Sequence, residues 1–212
     1  MPRLPRACPA EIPQHIIQRG NNRQHCFTSD ADIATYAHWL HEAAIKYDVQ
    51  IHAWVFMTNH IHLLATPSHE HATSLMMQHI GRSYVRYFNH AQARSGTLWE
   101  GRFKSCSILD DTYFLVCQRY IELNPVRAQM VSDPADFKWS SYRSNGLGVK
   151  SKLRTPHALY LQLGSSDPER QTNYRRLFAT QIDDVQLADI RIAVNAGAPL
   201  TDLGSDPDLT LF

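Results

Sequence analysis

One stretch, Val49 to Thr66, restricts the fold more than any other part of the chain. Val49-Gln50-Ile51-His52-Ala53-Trp54-Val55-Phe56-Met57 is a β-branched and aromatic run that reads as a buried strand. Thr58-Asn59 follows as a tight turn, because Asn tolerates left-handed backbone geometry. His60 to Thr66 is then the returning strand of a hairpin. Alternate side chains of a strand share a face. His60 and His62 therefore point one way, and Ile61 and Leu63 point the other way, into a core. Two imidazoles side by side on a rigid strand begin a metal site, since divalent metals commonly take neutral imidazole. The chain has 12 His, so a chance His-x-His is not rare, and the pair needs a partner from elsewhere.

At 212 residues the chain suits one domain of about 100–200 residues plus an appendage. No apolar run approaches the roughly 18 residues needed to span a membrane. The basic start Met1-Pro2-Arg3-Leu4-Pro5-Arg6 lacks the apolar segment of a secretory signal, so the expected location is cytoplasmic. Cys8, Cys26, Cys106 and Cys117 form no Cys-x-x-Cys pair and fit reduced thiols. Net charge is only +1, but it is unevenly spread. Arg82, Arg86, Arg94, Arg102 and Lys104 make the middle basic, while six Asp after residue 182 make the end acidic. A polyanion-binding face and a solvated tail are one reading; an ordinary charged helix face is the other.

Gln14 to Arg19 alternates as a short strand, and Gly20-Asn21-Asn22-Arg23 breaks it. Arg19, Asn21, Asn22 and Arg23 are donors at a strand end, suited to phosphates or base edges, or simply to a polar turn. Ser29 or Asp30 caps a helix running to about Tyr47, and Thr73 to about Ala91 forms a second, with Arg82 and Arg86 one turn apart. Leu98 to Leu109 is a loop and strand in which Trp99, Arg102, Phe103 and Lys104 offer stacking faces and cations, a combination useful for single-stranded nucleic acid. The order strand, helix, strand, strand, helix, strand is that of the ferredoxin-like unit. The expected fold is α+β: a four-stranded antiparallel sheet with two helices on one face.

Asp110-Asp111-Thr112 caps a further helix from Tyr113 to about Leu123, with Pro125 as its stop. It covers the face that carries His60 and His62. Tyr120 and Asn124 lie one turn apart on it. Asn124 is a candidate third metal ligand through its amide oxygen, and Tyr120 a candidate nucleophile. The same residues also read as an apolar helix face with Asn124 as its C-terminal cap.

Met57-Thr58-Asn59-His60-Ile61-His62-Leu63-Leu64, Leu98-Trp99-Glu100-Gly101-Arg102-Phe103-Lys104-Ser105 and Arg119-Tyr120-Ile121-Glu122-Leu123-Asn124-Pro125-Val126-Arg127-Ala128 occur in that order. With Arg6 to Phe27 and Trp139-Ser140-Ser141-Tyr142, they make residues 1–145 resemble the HUH single-tyrosine transposases, in particular the branch associated with repetitive extragenic palindromes (REP). The resemblance implies that His60, His62 and Asn124 hold Mg²⁺ or Mn²⁺ and that Tyr120 attacks DNA. Relatives outside this branch often carry Gln at the Asn124 position. It implies a single-stranded DNA endonuclease and strand transferase acting beside REP hairpins through a 5′-phosphotyrosine, as a monomer or homodimer near the nucleoid. No nucleotide cofactor is implied, in keeping with the lack of a Gly-x-x-x-x-Gly-Lys loop. The alternative is a hairpin-binding protein, retired from catalysis and serving its host. A hydrolase of small phosphoesters would not need the basic, aromatic Trp99 segment. For reading DNA, the candidates are Arg19, Asn21, Asn22, Arg23, Arg82, Arg86, Trp99, Arg102 and Lys104.

Beyond this region, Asn145-Gly146-Leu147-Gly148 reads as a domain edge. Residues 146–197 are expected to be a small helical extension, with helices near His157 to Leu163, Arg170 to Thr180 and Ile182 to Ala193, and 198–212 a flexible acidic tail.

Overall fold

The computed structural model describes residues 8–201. Four strands, β1 (Gln14–Arg19), β2 (Val49–Met57), β3 (His60–Pro67) and β4 (Lys104–Ser107), form one antiparallel sheet in the order β2-β3-β1-β4. Two helices, α1 (Asp30–Lys46) and α2 (Ala72–Ala91), cover one face. On the other lies α3 (Asp111–Glu122), continued by the single turn α4 (Asn124–Arg127). The rest of the chain forms α5 (Tyr142–Asn145), α6 (Ala158–Leu161), α7 (Asp167–Arg176) and α8 (Asp184–Ala196). Among the described residues no helix is long and apolar enough to cross a membrane.

Local chemistry sets the helix ends. The Ser29 hydroxyl accepts from the Asp32 amide, and the Asp32 carboxylate accepts from the Ser29 amide, a reciprocal cap that starts α1. The Asp110 carboxylate accepts from the Thr112 amide and starts α3. α3 ends at Glu122, before Pro125 as expected, and Pro125 sits in the first turn of α4, where a missing N–H costs nothing.

The pleat sorts side chains between two cores. Ile61, Leu63 and Ala65 of β3 pack with Ile16 of β1 against Tyr36, Leu40, Met76 and Ile80 of the first helix pair. Leu64 packs on the other face, with Phe114, Cys117 and Ile121 of α3 and Ile190, Ala193 and Val194 of α8. In β2 the register shifts between Ile51 and Ala53. Ile51 and Trp54 therefore both face α1 and α2, while Ala53, Val55 and Met57 face α3. His52 occupies this bulge, bonded through Nδ1 to the Thr155 carbonyl at 2.7 Å and through Nε2 to the Thr66 hydroxyl at 2.9 Å.

The loop and strand expected from Leu98 to Leu109 are both present: the strand is Lys104–Ser107, and before it Leu98 and Trp99 turn inward into the α1 and α2 core. Two expectations are corrected. Asn145, read as the start of a domain edge, is tied into the fold instead. It is 1% exposed, donates from Nδ2 to Glu122 Oε1 at 2.9 Å, and its carbonyl accepts from the Tyr160 hydroxyl at 2.8 Å. The tail expected from Ala198 begins instead as a pinned segment: Leu200 is buried, its amide donates to the Ser107 carbonyl, and its carbonyl accepts from Leu109. The acidic residues after Thr201 and the basic start at Met1 to Arg6 lie outside the described residues. Along the opposite edge, the Phe56 amide donates to Trp139 and the Thr155 amide to Ile51.

Glu122, at the end of α3, joins these parts. Its buried carboxyl accepts from the Ser141 hydroxyl at 2.5 Å and from Asn145, and on its other oxygen from the Tyr174 hydroxyl at 2.8 Å. Burial pushes its pKa up to about 7, against these three donors, which favour the charged form. The unfolded chain releases this proton near pH 4.5, whereas the folded chain keeps it to about 7. The stability contributed by the proton is thus full below 4.5 and is lost as pH rises through 7. In Glu122→Gln the amide can meet all three partners without a proton to lose. The Tm of the variant minus that of the wild type should rise between pH 4.5 and 7 and then level off in scanning calorimetry. A difference that stays flat with pH would refute this account.

Candidate active site

The pleat of β3 turns His60 and His62 away from the α1 and α2 core, toward α3. Their ring centroids are 5.0 Å apart, nearly perpendicular. Antiparallel pairing with β1 sets Arg19 opposite His60 and Ile17 opposite His62. The packing of α3 across β2 and β3 then brings Tyr120 to the same place. Its ring centre lies 6.0 Å from that of His62 and 5.7 Å from that of His15, edge-on to both. The Tyr120 side chain is 5% exposed, and Arg127 of α4 lies over its ring with Cζ 4.4 Å from the centroid.

Both histidines are held from behind. His60 Nδ1 is 2.7 Å from Asn59 Oδ1, and His62 Nδ1 is 2.8 Å from His15 Nε2. Burial lowers the His60 pKa to about 4, with the Arg19 charge adding to the effect, and puts that of His62 well below its usual value. Both rings are therefore neutral at physiological pH, the form that ligates metals. With each Nδ1 engaged, Nε2 is the ring atom left to a cation. Asn124, expected as third ligand, lines the same cleft. It donates from Nδ2 to the Tyr120 carbonyl at 3.0 Å and to the Ile121 carbonyl at 3.4 Å. Its amide oxygen makes no hydrogen bond among the described residues. Asn124 thus both caps α3 and presents an oxygen. Two imidazole nitrogens and an amide oxygen fit a divalent cation, and suit Mn²⁺ better than Mg²⁺, which prefers oxygen. Among the described residues no group of three or more His, Cys, Asp or Glu could hold a metal, so the Asn124 amide oxygen is the candidate third protein ligand here.

These side chains open into a cleft of about 1100 Å³ between β4, α4 and the end of α8. Arg19, Arg102, Lys104, Arg127 and Arg191 line it, with Glu100 as the opposing acid. Lys104 Nζ donates to Asn195 Oδ1 at 2.8 Å, so α8 forms one wall. Such a cleft suits a polyanion.

Of the sequence candidates, His60, His62, Tyr120, Asn124, Arg19, Arg102 and Lys104 meet in this cleft. Asn21, Asn22 and Arg23 form a single turn of 3-10 helix just past β1, outside the cleft lining, with Asn22 and Arg23 exposed and at φ of 51° and 58°. Arg82 and Arg86 do not join them. They sit on α2, on the far face of the sheet, beside a separate groove of about 180 Å³ with Tyr47 and His79. Trp99 is no stacking platform: it is 6% exposed, packed among Tyr36 and Tyr84. Sequence reasoning missed His15, Asn59, Arg127 and Arg191. The alternation of β1 carried a signal for His15, which shares a face with Ile17 and Arg19. No pattern in the sequence marked α8 as a wall of the cleft.

The sequence model of a family described as "Transposase IS200 like" matches residues 10–124. Among solved structures, the chain is similar to a REP-associated tyrosine transposase bound to a REP hairpin. The identity is 19%, over 74% of this chain and 93% of that one, with a TM-score of 0.56. A candidate transposase of Deinococcus radiodurans R1 is also 19% identical, over 57% of this chain and 96% of that one, with a TM-score of 0.40. The first likeness shows a shared fold. No curated protein matches the chain.

The placement of Trp99 has a measurable consequence. Trp99→Ala should cost about 3–5 kcal/mol in urea unfolding, as for other buried Trp. Trp99→Leu keeps apolar bulk but no stacking face, and should bind single-stranded DNA as tightly as the wild type in fluorescence anisotropy. A large loss of affinity in folded Trp99→Leu would return Trp99 to the DNA-reading surface.

Proposed function

The chain belongs to the IS200-like transposase family, and from that membership we propose that it cuts and rejoins single-stranded DNA beside REP-type hairpins, with Tyr120 as nucleophile. The observation that carries this reading is the convergence of Tyr120 with His60 and His62, from separate elements, at one basic cleft. The hairpin as substrate is supported by the likeness to the REP-associated transposase and by the motifs shared with that branch.

The Tyr120 oxygen attacks the scissile phosphorus. An Oη–P bond forms and the P–O3′ bond breaks. The phenolic proton is lost, and the departing 3′ oxygen takes up a proton to leave as a 3′-hydroxyl. The 5′ end stays on Tyr120. A different 3′-hydroxyl then attacks the phosphotyrosine, restores a phosphodiester and returns a proton to Tyr120. Bond energy is conserved in the covalent link, so no nucleotide hydrolysis is required. Arg127, stacked on the Tyr120 ring, fixes its plane and places positive charge beside the transferring phosphoryl group. Arg19, Arg102 and Lys104 bind flanking phosphates, which orients the strand. A divalent cation held by His60, His62 and Asn124 would supply further charge to offset that of the transition state. All these groups come from one chain, so a single copy can assemble the site.

The test is a denaturing protein gel after incubation with labelled single-stranded DNA carrying a hairpin from the flanks of the gene, with Mn²⁺ or Mg²⁺. A labelled adduct is expected, absent in Tyr120→Phe and in EDTA. Hairpin binding without any adduct would overturn the tyrosine reading and leave a host-serving DNA-binding protein.

A further inference from the structure

His15 lies on β1, fully buried, on the same face of the strand as Ile17 and Arg19. Its Nε2 is 2.8 Å from His62 Nδ1, and the two rings are stacked within 18° of parallel, with centroids 5.1 Å apart. Its other nitrogen, Nδ1, is buried and has no hydrogen-bond partner among the described residues. Leaving a buried polar group unmet costs about 1–3 kcal/mol. A histidine present only to fill space would be a poor choice here.

Only one hydrogen fits between His15 Nε2 and His62 Nδ1. If His15 donates it, His62 carries its own hydrogen on Nε2 and has no lone pair to offer the cleft. If His62 donates it, the His62 Nε2 lone pair faces the cleft, and His15 carries its hydrogen on the unpartnered Nδ1. A neighbour behind a ligand imidazole commonly sets its tautomer and orientation. Asn59 stands in the corresponding place behind His60. His15 also packs on the edge of the Tyr120 ring, so one side chain touches both a candidate ligand and the candidate nucleophile.

We infer that His15 is a positioning residue: by accepting a hydrogen bond from His62 Nδ1, it holds the His62 ring and directs its Nε2 to a divalent cation. The inference rests on the metal-site reading proposed above. Its test is Mn²⁺ titration of the DNA-free protein, followed by electron paramagnetic resonance. His15→Phe keeps the volume and loses the acceptor, and should weaken Mn²⁺ binding about 10–100-fold. His15→Gln places an amide oxygen near the position of Nε2 and should restore binding to near the wild-type level. Equal binding by folded His15→Phe and wild type would overturn the inference alone. No Mn²⁺ binding by the wild type would overturn the metal reading, and this inference with it. Should His15→Phe fail to fold, the His62 tautomer in the wild type decides, read from long-range ¹⁵N–¹H correlations with Mg²⁺ bound. A hydrogen on Nδ1 supports the inference, and one on Nε2 overturns it.

Discussion

The two-residue period of β3 is the constraint on which the rest depends. Once Ile61 and Leu63 are drawn into the core under α1 and α2, His60 and His62 have no choice of side. The same rule on β1 puts Arg19, Ile17 and His15 beside them. The bulge at His52 lets β2 serve both cores, since Ile51 and Trp54 could not otherwise face the same way. A slip of one residue in the β3 pairing would bury the imidazoles among Tyr36 and Met76 and turn Ile61 and Leu63 toward the cleft.

The position of Tyr120 is fixed by what holds α3 on its far side. Tyr120 and Glu122 are two residues apart, so they project from nearly opposite sides of the helix. Tyr120 meets the histidines, while Glu122 is gripped by Ser141, Asn145 and Tyr174. These three partners come from the part of the chain after α3. The segment that follows α3, with only Tyr174 of the three coming from the C-terminal extension, therefore holds the far side of α3 against rotation about its axis. The extension acts on the opposite side as well, where α8 adds Arg191 and Asn195 to the cleft.

Much of this was legible in the sequence. The hairpin, the caps of α1 and α3, and the four-stranded antiparallel sheet followed from period and turn chemistry, which are local. The shared face of His60 and His62 was legible for the same reason. Trp99 was misread because its neighbours Arg102 and Lys104 are exposed, and composition cannot show that the preceding loop folds inward onto Tyr36 and Tyr84. Arg82 and Arg86 share a helix face, but which face of the sheet that helix covers relative to the histidines is a matter of topology. His15 needed the strand register as well as the strand. The end at Ala198 looked frayed because Gly, Pro and Asp dominate its composition, yet one apolar side chain, Leu200, finds a pocket and holds it.

The hydrogen bonds that Leu200, Trp139 and Thr155 make with the outer strands have a further meaning for the behaviour of the folding chain. In the order β2-β3-β1-β4, the strands β2 and β4 are the edges, and an edge with unpaired amides is a template for strand addition by another molecule. Residues 139 and 155 meet the β2 edge, and residue 200 meets the end of β4. The contact at Trp139 needs about the first two thirds of the chain, and those at Thr155 and Leu200 need more of it. Without these segments both borders of the sheet would present unpaired amides to another molecule. Segments that follow α3 thus cover parts of both sheet edges, and residues far from the cleft guard the sheet against strand addition.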